Sequence, residues 1–252
     1  MGARYTPGVL CAAILLSSCS APRATNAKLT VAAAANLMDV FGDVGRGFTS
    51  KTGVEVVFSY GSTAQLATQI ENGAPFDLFA AADTEHVDSL VAAGKVIAVS
   101  RAIYALGQLA LWIPEGETGG AGGLEGLAGP QIRFVAIAQP ELAPYGRATV
   151  EVLQGTGLWD RVQPKLVYGT SISMAKQFAA SGSANAAFTA YSLVLHDKGT
   201  VLKIDPHLYH PIEQAMGIVA ASAHPEAAKQ FRAFLLGPEG RAILANNGYL
   251  LP

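Results

Sequence analysis

Short apolar runs alternate with stretches of helical spacing along most of the chain. Residues 28–33 are largely apolar and include β-branched side chains, as expected of a buried strand. From Asn36 to Ser50, apolar residues recur at the spacing of a helix with one buried face. The same succession is repeated in residues 54–71 and 77–91. Consecutive strand–helix units of this kind predict a parallel β-sheet with helices on both faces.

The alternation starts again after Gly107. Further strands are predicted at 109–113, 133–137, 186–190, 201–204 and 212–220, and further helices at 145–153, 158–162, 171–180, 224–236 and 238–246. The glycine-rich residues 114–129 predict a loop with one helical turn at 124–127. The sequence therefore predicts an α/β fold.

We expect two similar lobes, each a mostly parallel sheet flanked by helices. Residues 28–105 and 203–252 are assigned to the first lobe, and residues 106–202 to the second. The chain is expected to cross between them near 104–107 and 191–203. The last helices should pack back on the first lobe.

The first 27 residues predict an export signal. Arg4 provides a positive start, and residues 9–16 form an apolar run that is too short to span a membrane. Leu16-Ser-Ser-Cys19 matches the box that bacterial lipoprotein signals carry before their lipidated cysteine. Ordinary cleavage after Ala27 is the alternative. Both place the remaining chain outside the cytoplasm, in the periplasm or anchored to a membrane through Cys19.

Composition narrows the classes of function. Lys and Arg number 17 against 19 Asp and Glu, without a basic run, which argues against a nucleic-acid-binding protein. Charged residues are only 14% of the chain and hydrophobic residues 50%, which excludes disorder and fits buried strands. Because Arg4 and Arg23 lie in the predicted signal, residues 28–252 carry 15 basic and 19 acidic side chains, a net charge of −4. An anionic ligand would therefore need local donors rather than an attractive overall field.

The chain lacks the common signatures of enzymes and metal sites. Its 2 cysteines, Cys11 and Cys19, both fall in the predicted signal, which excludes a four-thiolate zinc site in the body. No G-x-S-x-G, G-x-x-x-x-G-K-[ST] or strand-associated G-x-G-x-x-G sequence is present. His207 and His210 each lie beside a proline, which argues against a helical metal-binding pair. We expect no catalytic residue, no cofactor and no direct ligand to a metal cation.

Uncharged donors lie where predicted strands pass into helices. They are Ala35-Asn36, Gly61-Ser62-Thr63, Pro144-Tyr145-Gly146 and Gly169-Thr170-Ser171-Ile172. Each offers backbone N–H groups at the positive end of a helix, and such ends meet in the crevice beyond the strands of an open α/β sheet. Each hydroxyl taken alone would also serve as an ordinary helix cap. The four helix starts together predict a site for an oxyanion.

Several stretches carry a resemblance to a known family. They are residues 31–37 (VAAAANL), 58–66 (FSYGSTAQL), 69–83 (QIENGAPFDLFAAAD), 139–148 (QPELAPYGRA), 157–160 (GLWD) and 237–240 (GPEG). Together they resemble the periplasmic molybdate-binding proteins of ABC transporters, which have the type II periplasmic binding-protein fold. The likeness covers essentially all of residues 28–252, and the APYGRA stretch combined with Gly-Ser-Thr is its most specific part.

The resemblance implies a ligand in the cleft between the lobes. Asn36 stands where the family has a Ser or Asn ligand, and Thr63 stands at a ligand hydroxyl. Tyr145 and Ile172 stand where the family offers backbone N–H donors. On this basis the predicted ligand-binding residues are Ala35, Asn36, Ser62, Thr63, Tyr145 and Ile172.

The chain departs from the family at one position. Some members bring a tyrosine hydroxyl from the strand at position 190, where this chain has Ala190 followed by Tyr191. We expect the phenol of Tyr145 to replace it, and a contact through the Tyr145 backbone alone stays open. Arg147 is expected outside the site, because the resemblance implies that neutral donors hold the dianion.

The resemblance also implies a function. It predicts a monomeric, extracytoplasmic solute-binding component that binds molybdate or tungstate, without a cofactor, and delivers it to an ABC permease in the inner membrane. One alternative is a binding protein for another tetrahedral oxyanion such as sulfate. A more distant alternative is an exported hydrolase with Ser62 or Ser171 as nucleophile, for which no histidine shows a suitable motif.

Overall fold

The computed structural model describes residues 1–3, 28–117 and 123–252. The strands in these residues are β1 (Lys28–Ala34), β2 (Glu55–Gly61), β3 (Leu78–Ala80), β4 (Ala102–Gly107), β5 (Leu109–Pro114), β6 (Val135–Ala138), β7 (Leu166–Gly169), β8 (Ala186–Ala190), β9 (Gly199–Lys203) and β10 (Ile212–Ile218). The α-helices are α1 (Met38–Thr52), α2 (Thr63–Glu71), α3 (Glu85–Ala92), α4 (Pro144–Gly155), α5 (Trp159–Val162), α6 (Ile172–Ala180), α7 (Tyr191–Val194), α8 (Pro225–Leu236) and α9 (Pro238–Asn246).

The predicted export signal falls almost entirely in residues 4–27 and therefore lies outside the described residues. Cys19 and the alternative cleavage after Ala27 belong to this part. Within the described residues, no helix combines the length and the apolar character that crossing a membrane requires.

The strands form two sheets of five strands each. The first has the order β2-β1-β3-β10-β4 and the second the order β7-β6-β8-β5-β9. We refer to each sheet with its covering helices as the first and the second lobe. The predicted fold class, a two-lobed α/β protein with flanking helices, is confirmed.

Strand pairing is divided equally between the two directions instead of being mostly parallel. In the first sheet β1 runs parallel to β2 and β3, whereas β10 runs antiparallel to β3 and β4. The second sheet repeats this arrangement, with β6 parallel to β7 and β8 and with β5 antiparallel to β8 and β9. The chain enters each of the antiparallel strands β5 and β10 directly from a strand of the other sheet. They need no helical crossover, which parallel neighbours require.

The chain passes between the lobes at Gln108 and in residues 204–211. Residues 102–107, where a crossing was expected, form β4 at an edge of the first sheet, and residues 199–203 form β9 at an edge of the second. The predicted lobe boundaries remain a prediction.

The C-terminal helices pack against the first lobe through aromatic side chains. Phe231 of α8 meets Phe41 and Phe48 of α1 edge to face, with ring centroids 6.1 and 5.2 Å apart. Edge-to-face pairs of this kind add to the free energy of simple apolar burial. Helix α1 ends at Thr52, and the next residue, Gly53, has a φ of 75°, which favours glycine. The expected return of the last helices to the first lobe is thus observed.

Candidate functional site

A small cavity lies between the lobes, at the carboxyl ends of β1 and β2 and at the N-termini of α4 and α6. All the predicted ligand-binding residues line it: Ala35, Asn36, Ser62, Thr63, Tyr145 and Ile172. The space that the centre of a water molecule can reach in it is only about 10 Å³. Clefts for larger organic ligands are commonly about 300–1,000 Å³. The cavity therefore suits a compact ion.

Two hydroxyl groups of the first lobe are fixed by backbone N–H donors. Ser62 Oγ, at the N-cap of α2, accepts a hydrogen bond from Gln65 N at 3.4 Å. Thr63 Oγ1 accepts one from Ala82 N at 3.1 Å. Both side chains are buried, and among the described residues neither hydroxyl donates to a protein acceptor. Each hydroxyl proton is therefore available to a ligand in the cavity.

The second lobe presents the starts of two helices. Pro144 opens α4, so the N–H of Tyr145 is the first that this helix offers. In α6, Ser171 is the N-cap and accepts from Met174 N at 3.2 Å, which leaves the N–H of Ile172 at the open end. Such N–H groups have no partner within their own helix and favour an anion.

The phenol of Tyr145 reaches away from the helix start toward the first lobe. Its oxygen lies 3.0 Å from Gln214 Nε2 of β10. It also occupies space that only a glycine leaves free, because a Cβ on Gly107 would come within 2.2 Å of it. The hydroxyl that was expected to replace a donor from position 190 thus already has a protein partner.

Asn36 belongs to a buried polar network behind the cavity. As its amide is oriented, Nδ2 donates to Gln214 Oε1 at 2.9 Å and to Tyr249 OH at 3.0 Å. Gln214 Oε1 also accepts from Tyr104 OH at 3.0 Å. Asn36 Oδ1 is buried, and no hydrogen-bond partner for it is found among the described residues.

Sequence reasoning missed Gln214, Tyr104 and Tyr249. They are distant from the helix starts in the sequence, and no spacing rule connects them to Asn36. One signal was present, because Gln214 is a polar residue in the middle of the predicted apolar strand at 212–220. A fully buried polar side chain in such a strand needs a partner, which marks it for attention.

Among residues 28–117 and 123–252, no charged side chain lines the cavity. Burial raises the pKa values of Tyr104 and Tyr145 well above the usual value, and it also raises that of Tyr249. These phenols therefore remain protonated at neutral pH. The interior of the cleft is thus neutral over the physiological range.

Charged residues lie at the rim of the cleft instead. Arg147 of α4 donates to Asp83 Oδ2 at 3.0 Å and to Glu85 Oε2 at 2.7 Å, so it links the two lobes. Asp83 Oδ2 is also 2.8 Å from His86 Nδ1. This hydrogen bond raises the pKa of His86. Arg147 is occupied by carboxylates and does not line the cavity, as expected.

The serines proposed for a hydrolase lack the arrangement that this reaction needs. Ser62 and Ser171 both cap helices, and no histidine is hydrogen-bonded to either among the described residues. A serine and a histidine do meet Asp77, where Ser222 Oγ and His224 Nδ1 lie 2.7 and 3.3 Å from its carboxylate oxygens. The aspartate lies between the other two, whereas a catalytic triad places the histidine in the middle. This cluster ties β3 to the turn before α8.

Within the described residues there is no group of three or more His, Cys, Asp or Glu side chains that could hold a metal ion. The donors around the cavity are hydroxyl, amide and backbone N–H groups. Such groups suit the oxygens of an anion, whereas a bare cation needs oxygen, nitrogen or sulfur lone pairs.

Comparisons with known proteins agree with this picture. A family model described as bacterial extracellular solute-binding protein matches residues 29–250. The molybdate-binding protein ModA of Rhodobacter capsulatus is 37% identical over 224 residues, which are 88% of each chain. The structure of the Azotobacter vinelandii periplasmic molybdate-binding protein matches with a TM-score of 0.84 and 34% identity, covering 89% of this chain and 99% of that one.

A more distant structure shares the same fold. It is the sulfate-binding protein SubI from Mycobacterium tuberculosis H37Rv, with a TM-score of 0.75, 21% identity, and coverage of 88% of this chain and 86% of that one. At this identity the likeness shows the fold alone. The fold by itself does not decide which ligand is bound.

Proposed function

This chain belongs to the bacterial extracellular solute-binding protein family, together with the ModA proteins, and we propose that it binds molybdate outside the cytoplasm. It would then deliver the ion to the permease of an ABC transporter. The observation that carries the proposal is the convergence of uncharged donors from both lobes on one small cavity. Several anions could fit such a cavity. Sequence identity to the Rhodobacter capsulatus ModA protein supports molybdate among them.

We propose that the ligand oxygens accept hydrogen bonds from both lobes. The first lobe would provide the side chains of Asn36, Ser62 and Thr63 together with the backbone of Ala35. The second lobe would provide the backbone N–H groups of Tyr145 and Ile172. This assignment is supported by the lining of the cavity and by the two hydroxyl groups, each of which accepts one backbone N–H and keeps its own proton for a ligand.

Neutral donors are sufficient for tight binding. A hydrogen bond to a charged group contributes about 1.5–3 kcal/mol. Micromolar to nanomolar affinity corresponds to about 8–12 kcal/mol, and six such contacts would together supply about 9–18 kcal/mol. The excess would offset dehydration of the anion and ordering of the lobes on closure. The helix ends are fixed and need little rearrangement when the ion binds, so the free-energy cost of ordering the lobes stays low.

Discrimination from sulfate would depend on size. Both ions are tetrahedral dianions that accept similar hydrogen bonds, so the donors alone do not distinguish them. Close packing of Ala35 and Pro144 against the ligand would favour one radius. Tungstate differs little from molybdate in size, and we expect it to bind with similar affinity.

Calorimetric titration of the purified chain tests the proposal. We expect saturable binding of molybdate and tungstate, and at least about 100-fold weaker binding of sulfate and phosphate. Equal affinity for sulfate would favour the alternative of a general oxyanion-binding protein. Absence of binding to all four ions would contradict the proposed function. Hydrolysis of an ester substrate that is abolished by Ser62→Ala would favour the hydrolase alternative.

The finer points of the proposal concern assembly and location. We propose that the protein acts as a monomer, uses no cofactor and binds no nucleic acid. We further propose that Cys19 is lipidated, with simple cleavage after Ala27 as the alternative. Mass spectrometry of the mature N-terminus from isolated membranes distinguishes these two outcomes.

A further inference from the structure

The buried network behind the cavity contains an inconsistency in its hydrogen bonds. In the orientation described above, Asn36 places both N–H groups toward Gln214 and Tyr249, and its oxygen is left without a partner. An unpaired buried carbonyl oxygen is costly. If that oxygen faced the cavity, it would also repel an anion, because both would be acceptors.

A half-turn of both side-chain amides removes this difficulty. Nitrogen and oxygen of an amide occupy nearly equivalent positions, so the orientation is decided by hydrogen-bond partners. The half-turn exchanges the nitrogen and oxygen positions of both amides. Gln214 Nε2 then lies 2.9 Å from Asn36 Oδ1 and 3.0 Å from Tyr104 OH, and it donates a hydrogen bond to each. Tyr104 OH then donates to Ala81 O, which is 2.8 Å away.

The remaining members of the network also find partners. Gln214 Oε1 would face Tyr145 OH at 3.0 Å and accept its proton. Tyr249 OH, which donates to Asn36 O at 2.7 Å in the first orientation, would donate to Asn36 Oδ1 instead. Ser192 Oγ lies 3.3 Å from Asn36 O and would take over as its donor. Each hydroxyl proton of the network and both N–H groups of Gln214 then have an acceptor, and the amide nitrogen of Asn36 is turned away from Gln214 and toward the cavity.

We propose, on the basis of the proposed function, that Gln214 is a positioning residue that presents the Asn36 amide to the oxyanion as a donor. It does so by accepting from Tyr145 of the second lobe and donating to Asn36 of the first. Gln214 does not line the cavity, so it would act on the ligand only through Asn36. In this arrangement the Tyr145 hydroxyl contributes to binding only through Gln214, and the ligand contacts the Tyr145 backbone.

The inference is tested by a double-mutant cycle with molybdate affinity as the readout. We expect Gln214→Met to weaken molybdate binding about ten- to hundredfold, since it releases Asn36 from its orientation. In an Asn36→Ala background, the same substitution should change affinity by less than about twofold, because the residue it positions is gone. Independent effects of the two substitutions would overturn the proposal, as would wild-type affinity in Gln214→Met.

Gln108→Met is the matched control. Gln108 is a half-buried glutamine at the junction of the lobes, but its Nε2 donates to Gly248 O at 2.7 Å and not to the site. We expect its molybdate affinity to stay within about twofold of wild type. A loss equal to that of Gln214→Met would indicate a general effect on the junction and overturn the specific role.

A second pair of variants keeps the test valid if Gln214→Met does not fold. Tyr145→Phe removes only the hydroxyl, and we expect a few-fold loss that disappears when Gln214 is replaced by Glu or Leu. A loss that persists in both backgrounds would make the phenol a direct ligand donor and overturn the inference.

Titration of the wild type decides the proposed function separately, since failure to bind molybdate there would precede any effect of Gln214. In the wild type, the Asn36 side-chain ¹⁵N–¹H signals should shift on addition of molybdate, and unchanged signals would overturn the donor role.

Discussion

The interior of the cleft and its rim connect the two lobes with different kinds of groups. In the interior, neutral donors such as Thr63 and the N–H of Ile172 surround a cavity to whose wall the described part of the chain contributes no charged side chain. At the rim, Arg147 of the second lobe is paired with Asp83 and Glu85 of the first. The interior is buried, whereas Arg147 and Glu85 are substantially exposed.

This difference determines where binding free energy can arise. In a buried site, water does not compete for hydrogen bonds and so does not weaken them. The hydrogen bonds from the protein are then the only interactions that compensate the charge of a buried anion. Exposed ion pairs are screened by salt and commonly contribute between about 0 and 1 kcal/mol. We therefore expect recognition to depend on the neutral interior, while the rim adjusts how readily the lobes meet.

A charge placed in the interior should have the largest effect. Asn36→Asp replaces a donor by a carboxylate next to the bound dianion, and we expect molybdate affinity to fall by more than about 3 kcal/mol. Calorimetric titration measures the loss. Asn36→Ala is the control, because it removes the donor without adding charge and should lose less. Binding by Asn36→Asp at wild-type strength would show that Asn36 does not face the ligand.

Removal of one hydroxyl should have the next largest effect. Thr63→Val keeps the shape of the side chain but deletes the proposed ligand donor, and it also leaves the N–H of Ala82 without its acceptor. We expect a loss of about 1.5–3 kcal/mol in molybdate affinity by calorimetry. Thr63→Ser retains the hydroxyl and should bind within a few-fold of wild type. An equal loss in both variants would point to packing of the methyl group instead.

Breaking the rim should have a smaller effect that depends on salt. Arg147→Gln removes the pairs with Asp83 and Glu85, and we expect affinity to change by about 1 kcal/mol or less, with the difference shrinking as salt is added. Titration at low and high ionic strength measures this. The control is Arg161→Gln, because Arg161 pairs with Glu125 within the second lobe. A loss as large as that of Thr63→Val would mean that Arg147 takes part in recognition.

The pH dependence of the rim should give the smallest effect. The pKa of His86 is raised in the folded protein by its hydrogen bond to Asp83, from a usual value of 6.5. A raised pKa stabilises the fold fully below that usual value, and this contribution is lost as pH increases through the higher value. The difference in melting temperature between wild type and His86→Gln should therefore decrease over that interval.

Molybdate affinity itself should remain constant over the same interval, because the interior has no group that titrates there. A parallel decline in affinity would place His86 in the recognition of the ligand.

The sequence was sufficient for the fold class and for the position of the cavity. Strand–helix alternation predicted both sheets, and the helix starts at Ser62 and Ser171 were found because capping follows local rules. All the predicted ligand-binding residues line one cavity, although their contacts with a ligand remain a prediction. The edge strands β4 and β7 were missed, because β7 has only 4 residues and the apolar β4 was assigned to a segment that crosses between the lobes.

The network behind the cavity was outside the reach of local rules. Gln214 meets Asn36 across 178 positions of the chain, and Tyr249 meets it across 213. Such contacts arise only after the sheets have formed, so neither spacing nor composition indicates them. The direction of the Tyr145 phenol is a further example, because it depends on the space left by Gly107 in a neighbouring strand.

The absence of charged side chains from the cavity wall also affects how the protein behaves in an electric field. No side chain there can release or take up a proton when a dianion enters, so the complex gains the full charge of its ligand. Residues 28–252 already carry a net charge of −4, and loading makes the protein more negative with little change in its outer surface. Loaded and unloaded molecules should therefore differ in electrophoretic mobility. This difference would measure the fraction of protein that holds the ligand without the use of a label.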